Sequence, residues 1–486
     1  MAVLGIDLGT SGCKTVVVDR EGVILAAATA EYPLSTPQPL WSEQDPAHWW
    51  RGLVESVRAA LTKAPGVIIE GIGIGGQMHG ATLLDAAGEV VRPAILWNDG
   101  RCQAECELLH QKVPRLIKET GNRALVGFTA PKLLWVQRHE PKLWKRVRTV
   151  LLPKDYLRFR LTGDKVAEMS DGAGMLLMDV AKRRWSKAML AACRIDESFL
   201  GRLIEGSEIG GTVTAAAAAE LGIPAGVPVV GGAGDQAAGA VGAGCVTPGM
   251  TTIALGTSGV VFTTTKGYSP EKQGRLHTFC HALPGLWHQM GVMLSAAGSL
   301  QWYRDTMAPG ADFAELCAEA GGAPLGAEGL TFLPYLTGER TPHCDPQARG
   351  AFVGLVRLHQ RKHLTRAVLE GICLGLSDSL RLIRAAGTTV KEATVTGGGT
   401  RSDVWMQILA DVCDARIVLR AGADAGPALG GARLALVGAC GVSVKKACAP
   451  GPIERTFTPD KKAVKAYAAL GERFRALYPA LAPFSR

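Results

Sequence analysis

Short apolar runs with polar interruptions open the chain. Residues 3–8, 14–18 and 23–28 each alternate or run apolar over the length of a strand, and Arg20, Glu21 and Gly22 supply a turn between the last two. A β-β-β antiparallel meander is expected. From Asp45 and Pro46 the period changes: Trp49, Leu53, Val57 and Leu61 recur at every fourth position, which predicts a helix burying one stripe against that sheet. Residues 67–75 then read as another strand.

The same alternation returns half a chain later. Residues 251–255 and 260–264 predict two strands around a Gly-rich turn, and residues 227–230 a strand before the loop 231–234. Residues 235–244 follow as a helix of Ala and Gly, small enough for close packing of the kind wanted between moving domains. Residues 393–396 form a strand and 397–399 a glycine loop. Ser402 is placed as N-cap of a helix whose apolar positions 404, 408, 409 and 412 share one face.

The string Leu-Gly-Thr-Ser-Gly occurs twice, at residues 8–12 and 255–259, each time between two β-favouring runs. Matched flanks and a half-chain offset point to duplication. The expected architecture is α/β, with duplicated domains, residues 1–245 and 246–486, around a central cleft. Glycine at both ends of each turn permits close ligand approach, and backbone N–H groups with the hydroxyls of Thr10 and Thr257 are free for phosphate oxygens. Two such hairpins facing each other would clamp a nucleotide polyphosphate. The copies differ where it matters: Asp7 stands where the second copy has Ala254, and Lys14 where it has Val261. Only the first offers a carboxylate for a hard cation, so Asp7 is the candidate Mg2+ anchor.

Other segments refine the chemistry. Residues 71–76 satisfy G-x-G-x-x-G, yet the glycines lie within a strand and residues 77–84 stay extended where a dinucleotide fold needs a helix. Gly-rich backbone beside Gln77, Met78 and His79 instead suggests a pocket wall for a small polar ligand, although a histidine in such a place is more often structural. Asp235 falls at the start of the small-residue helix. It reads as an N-cap, as a general base aimed into the cleft, or as both, with the helix dipole keeping the carboxylate ionised. Gly398 and Gly399, ahead of a helix, make a third candidate nucleotide loop in a chain without a P-loop motif.

With 486 residues and 47% hydrophobic content the chain can bury at least one large core. Its formal charge of +9 is scattered, with no run of basic residues, which argues against nucleic acid as a partner. No segment reads as a secretion signal or membrane span, and the twelve cysteines form no close metal-binding pair: Cys102 and Cys106 are the nearest and the rest lie alone in apolar surroundings, as suits a reducing cytoplasm. His277 and His281 lie in extended sequence, so their spacing is not a metal pair.

Longer strings identify a family. Residues 127–139, and residues 350–355 continuing through His363, Leu364 and 367–370, resemble the two signatures of the FGGY carbohydrate kinases. Further family-like strings at 41–46, 76–80, 96–101, 152–156 and 332–342 spread the resemblance over nearly the whole chain, closest to the branch acting on D-xylulose. The resemblance implies an actin-like (ribonuclease H-like) duplicated fold, ATP with Mg2+, a small-molecule sugar substrate, a cytoplasmic enzyme and a homodimer. It implies Asp235 as catalytic base, Asp7 as the magnesium-associated aspartate, and Gln77, Met78 and His79 on the sugar side. Gly256, Thr257, Gly398 and Gly399 correspond to the nucleotide side. Gln236 stands beside the base where the D-xylulose branch often carries Asn, a departure bearing on selectivity among pentuloses. With an ordinary pKa at Asp235, such a site is expected to work chiefly by alignment and by contacts to the phosphates. Ribulose, glycerol or gluconate kinases are rival readings within the fold, and a chaperone-like or filament-forming ATPase a rival outside it.

Overall fold

The computed structural model describes residues 1–484; residues 485 and 486 of the expected second half lie outside it. Strands β1 (Ala2–Leu8), β2 (Gly12–Asp19) and β3 (Ile24–Glu31) form the expected meander. Helix α1 (Pro46–Lys63) begins at Asp45, whose side chain accepts the N–H of Ala47, and buries Trp49, Leu53 and Val57. Burying side chains of this size is worth about 1.5–3 kcal/mol each. Strand β4 (Ile69–Gly76) pairs in parallel with β1, and the element directly after it is a strand, not a helix. Helices α2 (Thr129–His139), α3 (Pro153–Thr162) and α4 (Met169–Ala173) precede strands β5 (Ile209–Thr212), β6 (Pro228–Val230) and β7 (Ala233–Gly234). The sheet order is β5-β6-β4-β1-β2-β3, with β7 on the end of β4, so part of the expected loop 231–234 is strand. Helix α5 (Asp235–Gly242) follows directly.

The second half repeats the plan. Strands β8 (Thr251–Leu255), β9 (Gly259–Thr265), β10 (His277–Cys280) and β11 (Trp287–Met293) are antiparallel neighbours. Helices α6 (Ala297–Met307), α7 (Phe313–Gly321) and α8 (Arg361–Ala385) lead to β12 (Glu392–Thr396), α9 (Asp403–Cys413), β13 (Arg416–Arg420), α10 (Gly426–Gly438) and β14 (Ile453–Phe457). This sheet runs β10-β11-β9-β8-β12-β13-β14. In both sheets a central hairpin carries an antiparallel strand on one side and two parallel strands, then an antiparallel edge, on the other.

Alternation along β1 places the site. Leu4, Ile6 and Leu8 face the core under α1, while Val3 faces α5 and α10, packed with Ala428 and Ala432. Asp7 shares the parity of Val3 and Gly5, so its side chain emerges on the face covered by those two helices. Helix α10, from the second half of the chain, thus lies on the first sheet. The largest core cluster is also shared between halves, joining Phe128, Leu133 and Met175 to Phe279, Met290 and Val292.

The two identical pentapeptides close their hairpins differently. Leu8 pairs with Cys13, whereas Leu255 pairs with Gly259, one residue earlier in the repeat. What covers the turn carbonyls explains it. In the first copy the Tyr32 hydroxyl donates to Gly9 O (2.5 Å) and Gln44 Nε2 to Thr10 O (2.6 Å). In the second, backbone N–H groups at the start of α6 donate to Gly256 O (2.8 Å) and Thr257 O (2.9 Å). The register of the first copy sets Asp7 opposite Lys14.

Candidate functional site

Asp7 and Asp235 form the acidic centre. Asp7 Oδ1 is buried without a hydrogen-bond partner. Burial, with the nearby charge of Asp235, raises its pKa to about 7 against the opposing pull of Lys14. Asp235 is raised to about 6, again mainly by burial, although it accepts the backbone N–H of Gln236 at 2.7 Å. Two expectations are corrected. The N-cap of α5 is Gly234, with Asp235 the first helical residue, and burial outweighs the hydrogen bonds from Gln236, so the carboxylate does not have an ordinary pKa.

Gln77, Met78 and His79 line the same region. The Gln77 N–H donates to Leu8 O (2.8 Å) and its side chain bridges Thr10 and Gln44. Thr10 also accepts from the Trp97 indole at 2.9 Å. Met78 lies against Gly234, where a Cβ would come within 2.9 Å of its Cγ, so only glycine admits Met78 beside the residue preceding Asp235. His79 sits at φ 70° with Nδ1 2.7 Å from Gly174 O, and its ring meets Phe128 at 4.6 Å between centroids. Burial and the Lys132 charge lower its pKa to about 3. The imidazole is therefore neutral, and with the Nδ1 proton directed at Gly174 O its Nε2 is an acceptor.

Two supports were not found in the sequence. Lys132 is fully buried, and its Nζ donates to the carbonyls of Gly127 and of His79 (3.0 Å), fixing the strained histidine; burial lowers its pKa to about 7. Behind Asp235, Lys154 Nζ lies 2.6 Å from Asp155 Oδ1 and 3.5 Å from Asp171 Oδ2, all buried. Glu168 accepts the Ser170 hydroxyl (2.8 Å), and that oxygen accepts the Gly234 N–H (3.2 Å), so the chain entering Asp235 is held from α4. Charged residues inside the apolar strings 127–139 and 152–156 were the available signal.

A second group surrounds a cavity of about 730 Å3. Gly256 and Thr257 of the second turn meet Gly398 and Gly399 there, with Leu300, Gln301, Phe313, Cys317 and Trp405 completing the walls. Four of the five expected nucleotide residues thus share one cavity; Thr10 is not in its lining and sits with Gln77 and Trp97 instead. Ser402 caps α9 as expected, accepting from Trp405 N. The flat apolar walls suit a nucleobase, and the glycines leave room for its sugar and phosphates. Nothing lies within 4 Å of a Cβ built on Gly398. Gly398→Val should therefore fold with unchanged Tm while raising KM for ATP about tenfold or more by filling the cavity, measured by steady-state kinetics and a thermal melt.

Two mixed sheets of matching plan, a Gly-Thr turn in each, and an acidic pair from the first central strand and the start of α5 mark the duplicated actin-like ATPase fold. The chain matches the FGGY family of carbohydrate kinases, N-terminal domain, over residues 2–242 and its C-terminal domain over residues 251–439. It is 47% identical over 481 residues to the xylulose kinase of Escherichia coli (strain K12), covering 99% of each chain. Among solved structures it superimposes with a TM-score of 0.95 on a "xyloylose kinase" from Brucella ovis, at 45% identity. The xylulose kinase from Rhodospirillum rubrum gives a TM-score of 0.92 at 32% identity, and both structures match over 100% of each chain. The protein belongs to the FGGY family of carbohydrate kinases. It is a carbohydrate kinase, and its family implies ATP as phosphoryl donor.

Proposed function

We propose that the protein transfers the terminal phosphoryl group of ATP to D-xylulose, giving D-xylulose 5-phosphate and ADP. The observation that carries this reading is the 47% identity, end to end, with a xylulose kinase. The open-chain ketose rests against Met78, His79 and Gln77, with Gln236 beside its reacting end. Neutral His79 offers Nε2 to a sugar hydroxyl. Asp235 accepts the proton of the terminal hydroxyl as the oxygen attacks phosphorus. Because phosphoryl transfer is loose, that proton moves late, and a carboxylate of pKa about 6 is ionised and ready at neutral pH.

The donor lies with its base in the cavity of Gly256, Thr257, Gly398 and Gly399 and its phosphates directed towards Thr10 and Asp7. Asp7 fits Mg2+: it is a hard oxygen donor, Oδ1 is buried and unpartnered, and its raised pKa marks a carboxylate short of positive charge. Among the described residues no cluster of three or more His, Cys, Asp or Glu could hold a metal, consistent with an ion held by one carboxylate, water and phosphate oxygens. When bound, the ion neutralises charge on the phosphates. Asp7→Asn should raise the Mg2+ concentration needed for half-maximal rate about tenfold, read from an Mg2+ titration at saturating ATP; an unchanged midpoint would remove Asp7 from the metal site.

A substrate panel with coupled ADP detection tests the assignment. D-xylulose should exceed D-ribulose, glycerol and D-gluconate in kcat/KM by about tenfold or more. A higher value for any of the others would transfer the same machinery to that sugar.

A further inference from the structure

The buried or half-buried arginines of the first half are paired: Arg92 and Arg101 with Glu43, Arg158 with Asp155, Arg183 with Glu205. Arg340, in the family-like string 332–342, is different. Its backbone N–H is accepted by Glu339 Oε1 (2.7 Å), which also accepts Leu294 N (3.0 Å). The next residue, Thr341, is tied through its N–H to Val292 O (2.9 Å) and through its hydroxyl to Arg275 O (2.9 Å). The loop is thus pinned on both sides to the second half. Among the described residues, no hydrogen bond or ion pair engages the guanidinium. Arg340 is half-buried and none of its guanidinium nitrogens is fully enclosed, so five donors are open to an incoming acceptor.

The guanidinium faces the first half. Nη2 lies 3.8 Å from where a Cβ on Gly127 would stand, and Gly127 O and His79 O are held by the same Lys132 ammonium. The Arg340 charge is felt by both His79 and His277, helping to keep them neutral. Glu339, the adjacent carboxyl, is pushed up to about 8 by burial and is largely uncharged at neutral pH, so it does not neutralise the guanidinium.

Resting on the reading of the Met78 and His79 pocket as the sugar side, we propose that Arg340 is a substrate-orienting residue supplied by the second half, its guanidinium donating to the carbonyl and an adjacent hydroxyl oxygen of an open-chain ketose. Two neighbouring acceptors on one edge suit the forked donor, and a polyol lacking the carbonyl offers a poorer match. Because His79 and Met78 belong to the first half, a sugar held by both sides ties substrate recognition to the relative setting of the two halves.

Arg340→Met and Arg340→Lys test this with the preferred ketose and with its polyol counterpart. For Arg340→Met the ketose KM should rise about tenfold or more with the ATP KM unchanged within about twofold, the ketose-to-polyol ratio of kcat/KM should fall about tenfold, and Arg340→Lys should recover part of each. A ketose KM unchanged, or ketose, polyol and ATP parameters all altered together, overturns the proposal. Independently of variant folding, phenylglyoxal labelling of the intact wild-type protein should show Arg340 protected by ketose and not by glycerol; equal labelling with and without ketose also overturns it. If the panel selects a ketose other than D-xylulose, that ketose is used, so failure of the substrate assignment and failure of the Arg340 assignment give separate results.

Discussion

Replacing Asp235 with Asn is expected to lower kcat for D-xylulose by about 10^3-fold or more and, in the same protein without ligands, to raise thermal stability above pH 7. The first effect is that expected from removing the proposed proton acceptor together with its charge. The second follows from the direction of the pKa shift. Asp235 has a folded pKa of about 6 against 3.8 for the free side chain. A carboxyl raised on folding contributes stability that is complete below the unfolded value and lost as pH rises through the folded one. At pH 8 the wild type therefore carries an ionised carboxylate that its surroundings disfavour, and Asn removes it. Because the side chain keeps some exposure to the cleft, the gain is about 1–3 kcal/mol rather than more. The difference in Tm between Asn variant and wild type should be small near pH 4 and open between pH 4 and 7. Asp7, raised to about 7, should show the same sign over a slightly higher window. In wild type, kcat/KM should fall as pH drops below about 6. Turnover in Asp235→Asn within tenfold of wild type would mean that the proton leaves by another route.

That prediction depends on a feature the sequence did not carry. Strand alternation made β1, β2, β8 and β9 readable. The helix at 235 and the loop at 397–399 were readable because glycine and small residues punctuate them so strongly. The pKa of Asp235 was not, since it depends on how completely Met78, α4 and α10, three distant segments, enclose the start of α5. The identical turns teach the same lesson. Five residues are the same, yet Tyr32 and Gln44 cover one set of carbonyls and the start of α6 covers the other, so tertiary donors choose the register. Thr10, grouped with Thr257 by the repeated string, consequently bonds Gln77 and Trp97 rather than lining the cavity of Gly256 and Gly398. Arg340, Lys132 and Lys154 were inside strings that marked the family, but a charged residue in a string does not disclose whether its partner is a carboxylate, a carbonyl or nothing.

The second large effect concerns the helix pair that joins the halves, and here two opposing contributions can be compared. Ala is favoured over Gly in a helix by about 1 kcal/mol, so propensity alone predicts that Gly430→Ala stabilises α10. A Cβ on Gly430, however, would stand 1.8 Å from Ala238 O of α5, and that oxygen is backbone, which yields only if the whole helix shifts. The same layer is tight throughout: a Cβ on Gly73 would meet Gly431 O at 2.0 Å, and one on Gly5 would meet Ala428 O at 2.0 Å, so α10 has no slack towards the sheet. The clash should win, lowering stability by about 2–4 kcal/mol. Since α5 starts at Asp235, the protein that still folds should also lose kcat, with little change in KM for ATP, whose proposed cavity is built from other elements. Gly239 lies in α5 itself, where a Cβ would meet nothing nearer than Pro427 Cγ at 3.9 Å; Gly239→Ala should instead gain up to about 1 kcal/mol with activity retained. Chemical denaturation and steady-state kinetics on the two variants separate packing from propensity. If Gly430→Ala matched Gly239→Ala in both, α5 and α10 would have to slide past each other freely, and the position of Asp235 would not be set by their contact.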